Sequence, residues 1–137
     1  MMLKQFIEQL STDMGFEQAL EANEDGSYSL RLESDIDITL RESTDSIIQF
    51  YTKIAELPAR NTDEFLLKAM SANLFGRETG GAALGLDSEG KRMVLVDFLA
   101  EEQHYPAFHD RLEDFANYAE AWRQETIEFN EQQEVEE

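Results

Sequence analysis

Residues 72–87 constrain the fold more than any other stretch of this chain, and they read Ala-Asn-Leu-Phe-Gly-Arg-Glu-Thr-Gly-Gly-Ala-Ala-Leu-Gly-Leu-Asp. An apolar helical pattern ends just before Gly76, which stands where a left-handed residue ends a helix. After Gly80 and Gly81, alternating apolar residues predict a short strand. Gly85 lies inside that strand and leaves room for another backbone or side chain to approach closely. The segment therefore predicts a helix, a glycine hinge and a strand that requires a neighbour.

The length and charge of the chain limit its organisation and its partners. With 137 residues, of which 42% are hydrophobic, it is long enough for one domain with a core and too short for two ordinary domains. Eleven basic and 30 acidic residues give a formal charge of −19, which repels phosphate backbones and anionic lipids. We therefore expect neither a nucleic-acid partner nor membrane insertion. The acidity fits a protein that holds adhesive or basic partners in solution, and a solvated surface explains it equally well.

Cysteine content and the terminal pattern bear on the compartment. The chain has no cysteine, so neither a disulfide framework nor a thiolate zinc site is possible. Polar residues interrupt the apolar positions of residues 1–15, which therefore lack the apolar core of a signal peptide. No later run approaches the roughly 18 apolar residues of a membrane helix. We expect a cytoplasmic protein.

The periodicity of apolar residues predicts the order helix, three strands, helix, two strands, helix. Apolar residues at i, i+3, i+4 and i+7 predict the first helix near the start of the chain. Alternating segments at 28–32, 36–41 and 47–54 predict an antiparallel meander. A second helix is predicted over 62–75, and strands over 82–87 and 93–99 follow it. This order predicts an α+β fold, a single compact domain with a twisted antiparallel sheet.

The last two predicted elements carry further information. The strand over 93–99 is apolar on both faces, which predicts a cover on each side of it. Pro106 introduces a long third helix, whose apolar residues recur at steps of four and three as far as Trp122 and less regularly to Ile127. From Glu128 onward the stripe is lost. We therefore predict a domain over residues 1–127 and a flexible acidic tail over residues 128–137.

A catalytic or metal site would have to use His104 and His109, the only imidazole groups in the chain. Their spacing of five does not place them on one helical face, and the surrounding carboxylates form no zinc motif. Exposed or capping histidines account for the pattern better. The sequence therefore predicts no catalytic residue, no metal and no cofactor.

Two further motifs bear on ligand binding. A phosphate loop runs from strand through glycines and a lysine into a helix, whereas here Gly81 is followed by Ala82 and the order is helix, loop, strand. A structural hinge is therefore favoured. Asp35 and Asp37 lack the internal glycine and the set of oxygens of a calcium loop, and we interpret them as a strand boundary.

Several groups of residues together resemble one known family. The most specific are residues 65–70, Phe-Leu-Leu-Lys-Ala-Met, followed by 72–76, 79–82 and 84–87. Supporting marks are Asp25-Gly26, Glu56-Leu57-Pro58 and the run Asn-Tyr-Ala-Glu-Ala-Trp at 117–122. On these residues the chain, from Leu3 to about Trp122, resembles the class I type III secretion chaperones, the Tir chaperone or CesT-like family.

The resemblance implies a small acidic homodimer without enzymatic activity, in the cytoplasm of a bacterium with a type III secretion system. Such a chaperone binds the N-terminal segment of one or more secreted effectors and keeps it soluble and partly extended. The resemblance therefore also implies a role in virulence. An extended segment can use apolar grooves and sheet edges, since main-chain hydrogen bonds give affinity without demanding one sequence. The ATPase of the secretion apparatus is a further candidate partner.

The resemblance also implies site residues, because in this family the first helix and the sheet contact the effector, and the second helix with the next strand builds the dimer. The effector-binding candidates are Leu3, Phe6, Ile7, Leu10, Leu30, Leu32, Ile36, Ile38 and Phe50. The dimer-interface candidates are Phe65, Leu66, Ala69, Met70, Leu74, Phe75, Ala82, Leu84, Gly85 and Leu86. We expect the second set to divide between core and interface. Alternation leaves open which strand face meets the helices, since a one-residue register error exchanges the faces.

Two other classes of function stay open on the residues alone. An α+β adaptor or regulatory protein would bind a folded partner through the same apolar surfaces. A small enzyme or ligand-binding domain would use His104, His109 and nearby carboxylates, although no nucleophile or cofactor motif accompanies them.

Overall fold

The computed structural model describes residues 2–16, 20–31, 36–43, 47–76, 78–100 and 104–135. Within these ranges the elements follow the predicted order, and a short 3₁₀ turn, Leu74–Gly76, extends the second helix. The elements are α1 (Met2–Asp13), β1 (Tyr28–Arg31), β2 (Asp37–Glu42), β3 (Ile47–Glu56), α2 (Thr62–Asn73), β4 (Ala83–Leu86), β5 (Arg92–Ala100) and α3 (Tyr105–Val135). The predicted α+β class is confirmed.

The five strands form one antiparallel sheet in the order β1-β2-β3-β5-β4. The first three strands are the predicted meander, in which Leu40 lies opposite Tyr28 on one side and Phe50 on the other. The hairpin of β4 and β5 then joins β3 through β5. As a result β1 and β4 are the two edge strands of the sheet.

One face of the sheet, which we call the core face, is covered by helices. Side chains at alternate positions of β3, including Phe50 and Thr52, are almost fully buried on it. The ring of Phe50 lies 5.9 Å from that of Phe108 and 5.6 Å from that of Phe115, both on α3, and Phe6 of α1 stacks on Phe108 at 4.9 Å. The apolar stripes of α1 and α3 therefore meet the core face and form one hydrophobic core.

A half-buried ion pair fastens α3 to the sheet. The guanidinium of Arg111 donates to both carboxylate oxygens of Asp97, with Nε–Oδ2 at 2.5 Å and Nη2–Oδ1 at 2.7 Å. Asp97 lies on the core face of β5 and is buried, and its hydrogen bond to Arg111 raises the pKa of the guanidinium. Because both ends of the fork are used, the pair fixes the orientation of α3 on β5.

The third helix extends beyond the predicted domain boundary at residue 127. It is helical to Val135, and the ring of Phe129 lies 5.0 Å from that of Phe65 on α2. The packed domain therefore includes residues past 127, because the aromatic contact replaces the regular stripe on which the boundary was based. The flexibility of the acidic end of the chain stays a prediction.

Candidate functional site

The α2 helix has two apolar faces. Phe65, Ala69 and Ala72 point inward and are buried. On the opposite side, three large apolar residues at i, i+3 and i+7 share one surface and are strongly exposed. We call this surface the α2 stripe, and its members are Leu67, Met70 and Leu74, exposed by 67%, 70% and 54%.

The structure divides the predicted dimer residues between core and surface. Phe65, Ala69, Ala82 and Leu84 are buried within the chain. Leu66 and Gly85 are partly buried, and the side chain of Phe75 lies outside the described part of the structure. The exposed members are Met70, Leu74 and Leu86, the last of them at the end of β4 and 44% exposed. Sequence reasoning missed Leu67, although its spacing from Met70 and Leu74 signalled a second apolar face.

The sheet face opposite the helices, which we call the open face, carries a second apolar surface. Gln49 and Tyr51 of β3 point to this side, and their partners across the ladder on β5 are Phe98 and Val96. Val96 also faces Ala83 of β4. Phe98 is 56% exposed. The open-face patch therefore comprises Ala83, Val96 and Phe98, and its sequence signal was the strand that is apolar on both sides.

Gly85 lies on the same side of β4 as Ala83, beside the open-face patch. A β-carbon added at Gly85 would meet Val94 at an ordinary 3.7 Å, and the backbone there has no left-handed conformation. The packing of the described residues therefore does not require a glycine at this position. The glycine leaves room above the sheet at this position, and its role in the approach of another chain stays a prediction.

The predicted effector-binding residues occupy the core face and the inward side of α1. Leu32 lies outside the described residues. The others come together in the core, since each is at most 6% exposed, and they are Leu3, Phe6, Ile7, Leu10, Leu30, Ile36, Ile38 and Phe50. The sequence left the choice of sheet face open, and the helices cover the face that carries these residues. Their contact with an effector stays a prediction.

The glycine hinge is docked on α3. The glycines at 76, 80 and 81 all have positive φ. A β-carbon at Gly80 would collide with the ring of Tyr118, and one at Gly76 would lie 2.7 Å from the Cα of Gly81. The indole of Trp122 donates to the carbonyl of Glu78 at 2.9 Å. Positive φ angles, the close approach of Gly76 to Gly81 and the packing of Gly80 against α3 therefore account for these glycines, in agreement with a structural hinge.

Among the residues that the structure describes, no three histidine or acidic side chains come together as a group that could hold a metal ion. His104 is exposed at the start of α3, where its carbonyl accepts from the N–H groups of Ala107 and Phe108. His109 has only loose carboxylate neighbours, Asp110 at 3.8 Å and Glu113 at 4.0 Å. The carboxylate of Asp37 pairs with Arg31 at 2.9 Å, while Asp35 lies outside the described residues.

A concavity of about 960 Å³ lies between the β4–β5 hairpin and the loop that precedes α2. Its charged lining is of both signs: Lys53, Lys91 and Arg92 against Glu56, Asp87 and Glu89. The backbone N–H of Lys91 donates to Asp87 and lowers the pKa of that carboxyl. Because the lining charges balance one another, the concavity is not selective for an ion of one sign.

Within the described ranges no helix combines the length and apolarity needed to cross a bilayer.

Comparison with known proteins finds similarity to one family over most of the chain. The model of the Tir chaperone protein (CesT) family matches residues 5–123. A protein of Chlamydia pneumoniae is 37% identical over 122 residues, which cover 88% of this chain and 93% of that protein.

Solved structures share the fold at low sequence identity. A chain of the ExsC–ExsE complex has a TM-score of 0.75 and 15% identity, covering 90% of this chain and 92% of its own. A chain of the HopA1–SchA chaperone–effector complex has a TM-score of 0.71 and 14% identity, covering 90% and 94%. The complex of the Yersinia pestis type III secretion chaperone SycH with a stable fragment of YscM2 gives 0.66 and 17%, covering 85% and 95%.

Proposed function

This chain belongs to the Tir chaperone protein (CesT) family, and from this premise we propose that it is a type III secretion chaperone. It binds the N-terminal segment of one or more secreted effectors and keeps that segment soluble and competent for secretion. Support comes from the presence of two exposed apolar surfaces on a chain of formal charge −19. Large apolar side chains grouped on a soluble protein's surface mark interaction sites.

The α2 stripe is the proposed dimer interface. Leu67 and Met70 stand on α2, and Leu74 begins the 3₁₀ turn that continues it. The opposite side of the helix is anchored in the core by Phe65 and Ala69, so the stripe is presented on a rigid support. A twofold axis would bring the same stripe of a second copy against it, and each stripe would cover the other. The exposed end of β4, with Leu86, extends the interface.

The open-face patch is the proposed binding surface for the effector segment. Phe98 offers a large apolar contact, and Gly85 lets a foreign backbone approach the sheet closely. An extended chain needs such a shallow surface, since its alternate side chains can lie on the patch while its backbone remains accessible. Contact with the buried set on α1 and the core face would require α1 to move away from the sheet.

The charge and the family of the chain bear on its compartment, its partners and its chemistry. The high negative charge keeps a protein with exposed apolar surfaces in solution and repels nucleic acid. We place the protein in the bacterial cytoplasm, without enzymatic activity and without a cofactor. Family membership is the ground for proposing the ATPase of the secretion apparatus as a further partner.

Co-expression with an effector's N-terminal segment tests the proposal. The candidate effectors are the products of genes adjacent to that of the chaperone. We expect a soluble complex of two chaperones with one segment, in which limited proteolysis finds the segment protected although it has no globular core. A chaperone that retains none of these segments, or that binds only folded effector domains, would contradict the proposal and favour an adaptor.

A further inference from the structure

β4 is an edge strand, so no strand of the described chain pairs with its outer side. At the hairpin, the N–H of Asp87 donates to the carbonyl of Arg92 at 3.0 Å, so Asp87 faces β5. In an antiparallel ladder the backbone groups of successive residues alternate between the two sides. The N–H and C=O of Leu84, opposite Leu95, therefore point away from β5, toward the place of a sixth strand.

A side-chain amide already occupies that place. Oδ1 of Asn73 accepts from the N–H of Leu84 at 2.7 Å, and Nδ2 of Asn73 donates to the C=O of Leu84 at 2.9 Å. An amide side chain offers the same donor and acceptor as a peptide group, so it satisfies Leu84 as a neighbouring strand would. Two residues before Leu84, the C=O of Ala82 accepts a hydrogen bond from the hydroxyl of Thr79 at 2.5 Å.

We propose that Asn73 closes the β4 edge of the sheet to strand addition. An unprotected edge strand is a template for pairing with a second chain, and proteins block such edges in several ways. With the amide in place, neither a second copy nor an extended effector segment can pair with β4 at Leu84. For a second copy, the inference rests on the proposed dimer. Because β4 is closed, that dimer forms through side chains of the α2 stripe and not through paired β4 strands.

The position of Asn73 at the end of α2 brings its amide to this one place on the β4 edge. It is the last residue of α2, and the helix is followed at once by the 3₁₀ turn that leads into the glycine hinge. The helix axis therefore ends beside the strand that the same chain enters a few residues later.

A purely structural tie between α2 and β4 would predict a loss of stability on substitution, but no new association of chains.

The test is to replace Asn73 by alanine in the full-length protein and to measure both amide exchange and association. Asn117→Ala is the matched control, because Asn117 is an exposed asparagine on α3. Both substitutions are made in the wild-type chain and in a Met70→Glu chain, whose stripe is disabled. In dilute solution, where chains do not associate, we expect the Leu84 amide of Asn73→Ala to exchange its hydrogen about fivefold faster or more than in the parent protein. On concentration, sedimentation velocity should reveal larger species in both backgrounds.

An Asn73→Ala protein that folds, as judged by near-UV circular dichroism, and sediments like its parent at every concentration would overturn the inference. If this variant does not fold, Asn73→Ser decides. Its side chain is shorter and carries a single polar atom, so it cannot span the N–H and the C=O of Leu84 as the amide does. Unchanged sedimentation of a folded Asn73→Ser protein overturns the inference, and new association supports it. A wild-type chain that is monomeric would overturn the proposed dimer only.

Discussion

The indole N–H of Trp122 donates a hydrogen bond of 2.9 Å to the backbone carbonyl of Glu78, and so joins the last helix to the glycine hinge. The two residues are 44 positions apart in the sequence. One turn before Trp122 on α3, the ring of Tyr118 lies against Gly80. The hinge and the run at 117–122, which both marked the family resemblance, therefore form one packed unit that holds the end of α2 and the start of β4 in place.

This packing predicts a graded loss of stability at the hinge. Trp122→Phe removes the hydrogen bond and part of a buried ring, and should lower the free energy of unfolding by about 1–2 kcal/mol. Gly80→Ala adds a collision with Tyr118 to the strain of a left-handed alanine, and should cost about 2–3 kcal/mol. Urea denaturation followed by circular dichroism gives both values. Gly90→Ala is the control, because Gly90 has a similar φ of 69° but no atom within 4 Å of the added carbon. Equal losses at Gly80 and Gly90 would contradict the role of Tyr118.

Met70→Glu should dissociate the proposed dimer. The side chain is 70% exposed, so the monomer should keep its fold, while two buried carboxylates would face each other across the stripe. We expect the dissociation constant to rise at least about 100-fold, equivalent to roughly 3 kcal/mol, as measured by analytical ultracentrifugation.

The control for this variant is Ala121→Glu, which makes the same charge change at an exposed position of α3. It should leave the oligomeric state unaltered. Dimers of unchanged affinity in Met70→Glu would show that the α2 stripe is not the interface.

Phe98→Ser should weaken effector capture and leave the dimer intact. The ring is 56% exposed on the open face, so its removal costs little in folding but deletes the largest contact of the patch. We expect affinity for the effector segment to fall about tenfold or more, which is about 1.4 kcal/mol, by isothermal titration calorimetry. Ile127→Ser, at a 37% exposed apolar residue of α3, should bind like the wild type. Equal losses in the two variants would argue against a specific patch.

Asp97→Asn should destabilise the fold, since it leaves Arg111 without its carboxylate in a mostly buried position. Because Arg111 is about one-third exposed, water replaces part of the lost interaction, and we expect a loss of about 2–3 kcal/mol in the free energy of unfolding. Asp110→Asn removes an exposed carboxylate on the same helix and should change stability by less than about 0.5 kcal/mol. A loss at Asp97 no greater than at Asp110 would mean that the ion pair is not needed to hold α3.

Asp25 provides a prediction about pH. The hydroxyl of Ser27 donates to Asp25 at 2.6 Å, the Ser27 N–H donates at 3.0 Å, and Arg41 lies at 2.7 Å. Together these contacts lower the pKa of the Asp25 carboxyl from its ordinary value. A lowered pKa means that the turn gains stability above the unfolded-state pKa and loses it as the pH falls through the folded-state value.

Ser27→Ala should therefore raise the Asp25 pKa, as measured by NMR titration of the carboxyl carbon, and shift the loss of turn stability to higher pH. Ser29→Ala, which removes a hydroxyl that does not contact Asp25, should leave that pKa unchanged. An unaltered pKa in Ser27→Ala would mean that the Ser27 backbone N–H and Arg41 lower it without the hydroxyl.

The sequence alone predicted the elements and their order. Regular stripes such as Leu3, Phe6 and Leu10 are local patterns, and so are the alternating residues of the meander. Glycines at helix and strand ends act locally as well, through their own φ angles. For these features the physical cause lies within a few residues, and the prediction agreed with the structure.

The choice of covered and open surfaces was decided only by the tertiary structure. Alternation grouped Leu30 and Ile38 on one side of the sheet, but did not reveal that α1 and α3 would cover that side and leave Phe98 exposed. On α2, the sequence left open which apolar residues would be buried, and the structure buries Phe65 against Phe129 of α3 and leaves Met70 exposed. The Asn73 amide reached Leu84 because the chain turns back beside its own helix. Burial depends on contacts between segments distant in sequence, so periodicity determined which residues share a face, and packing determined which face remains for a partner.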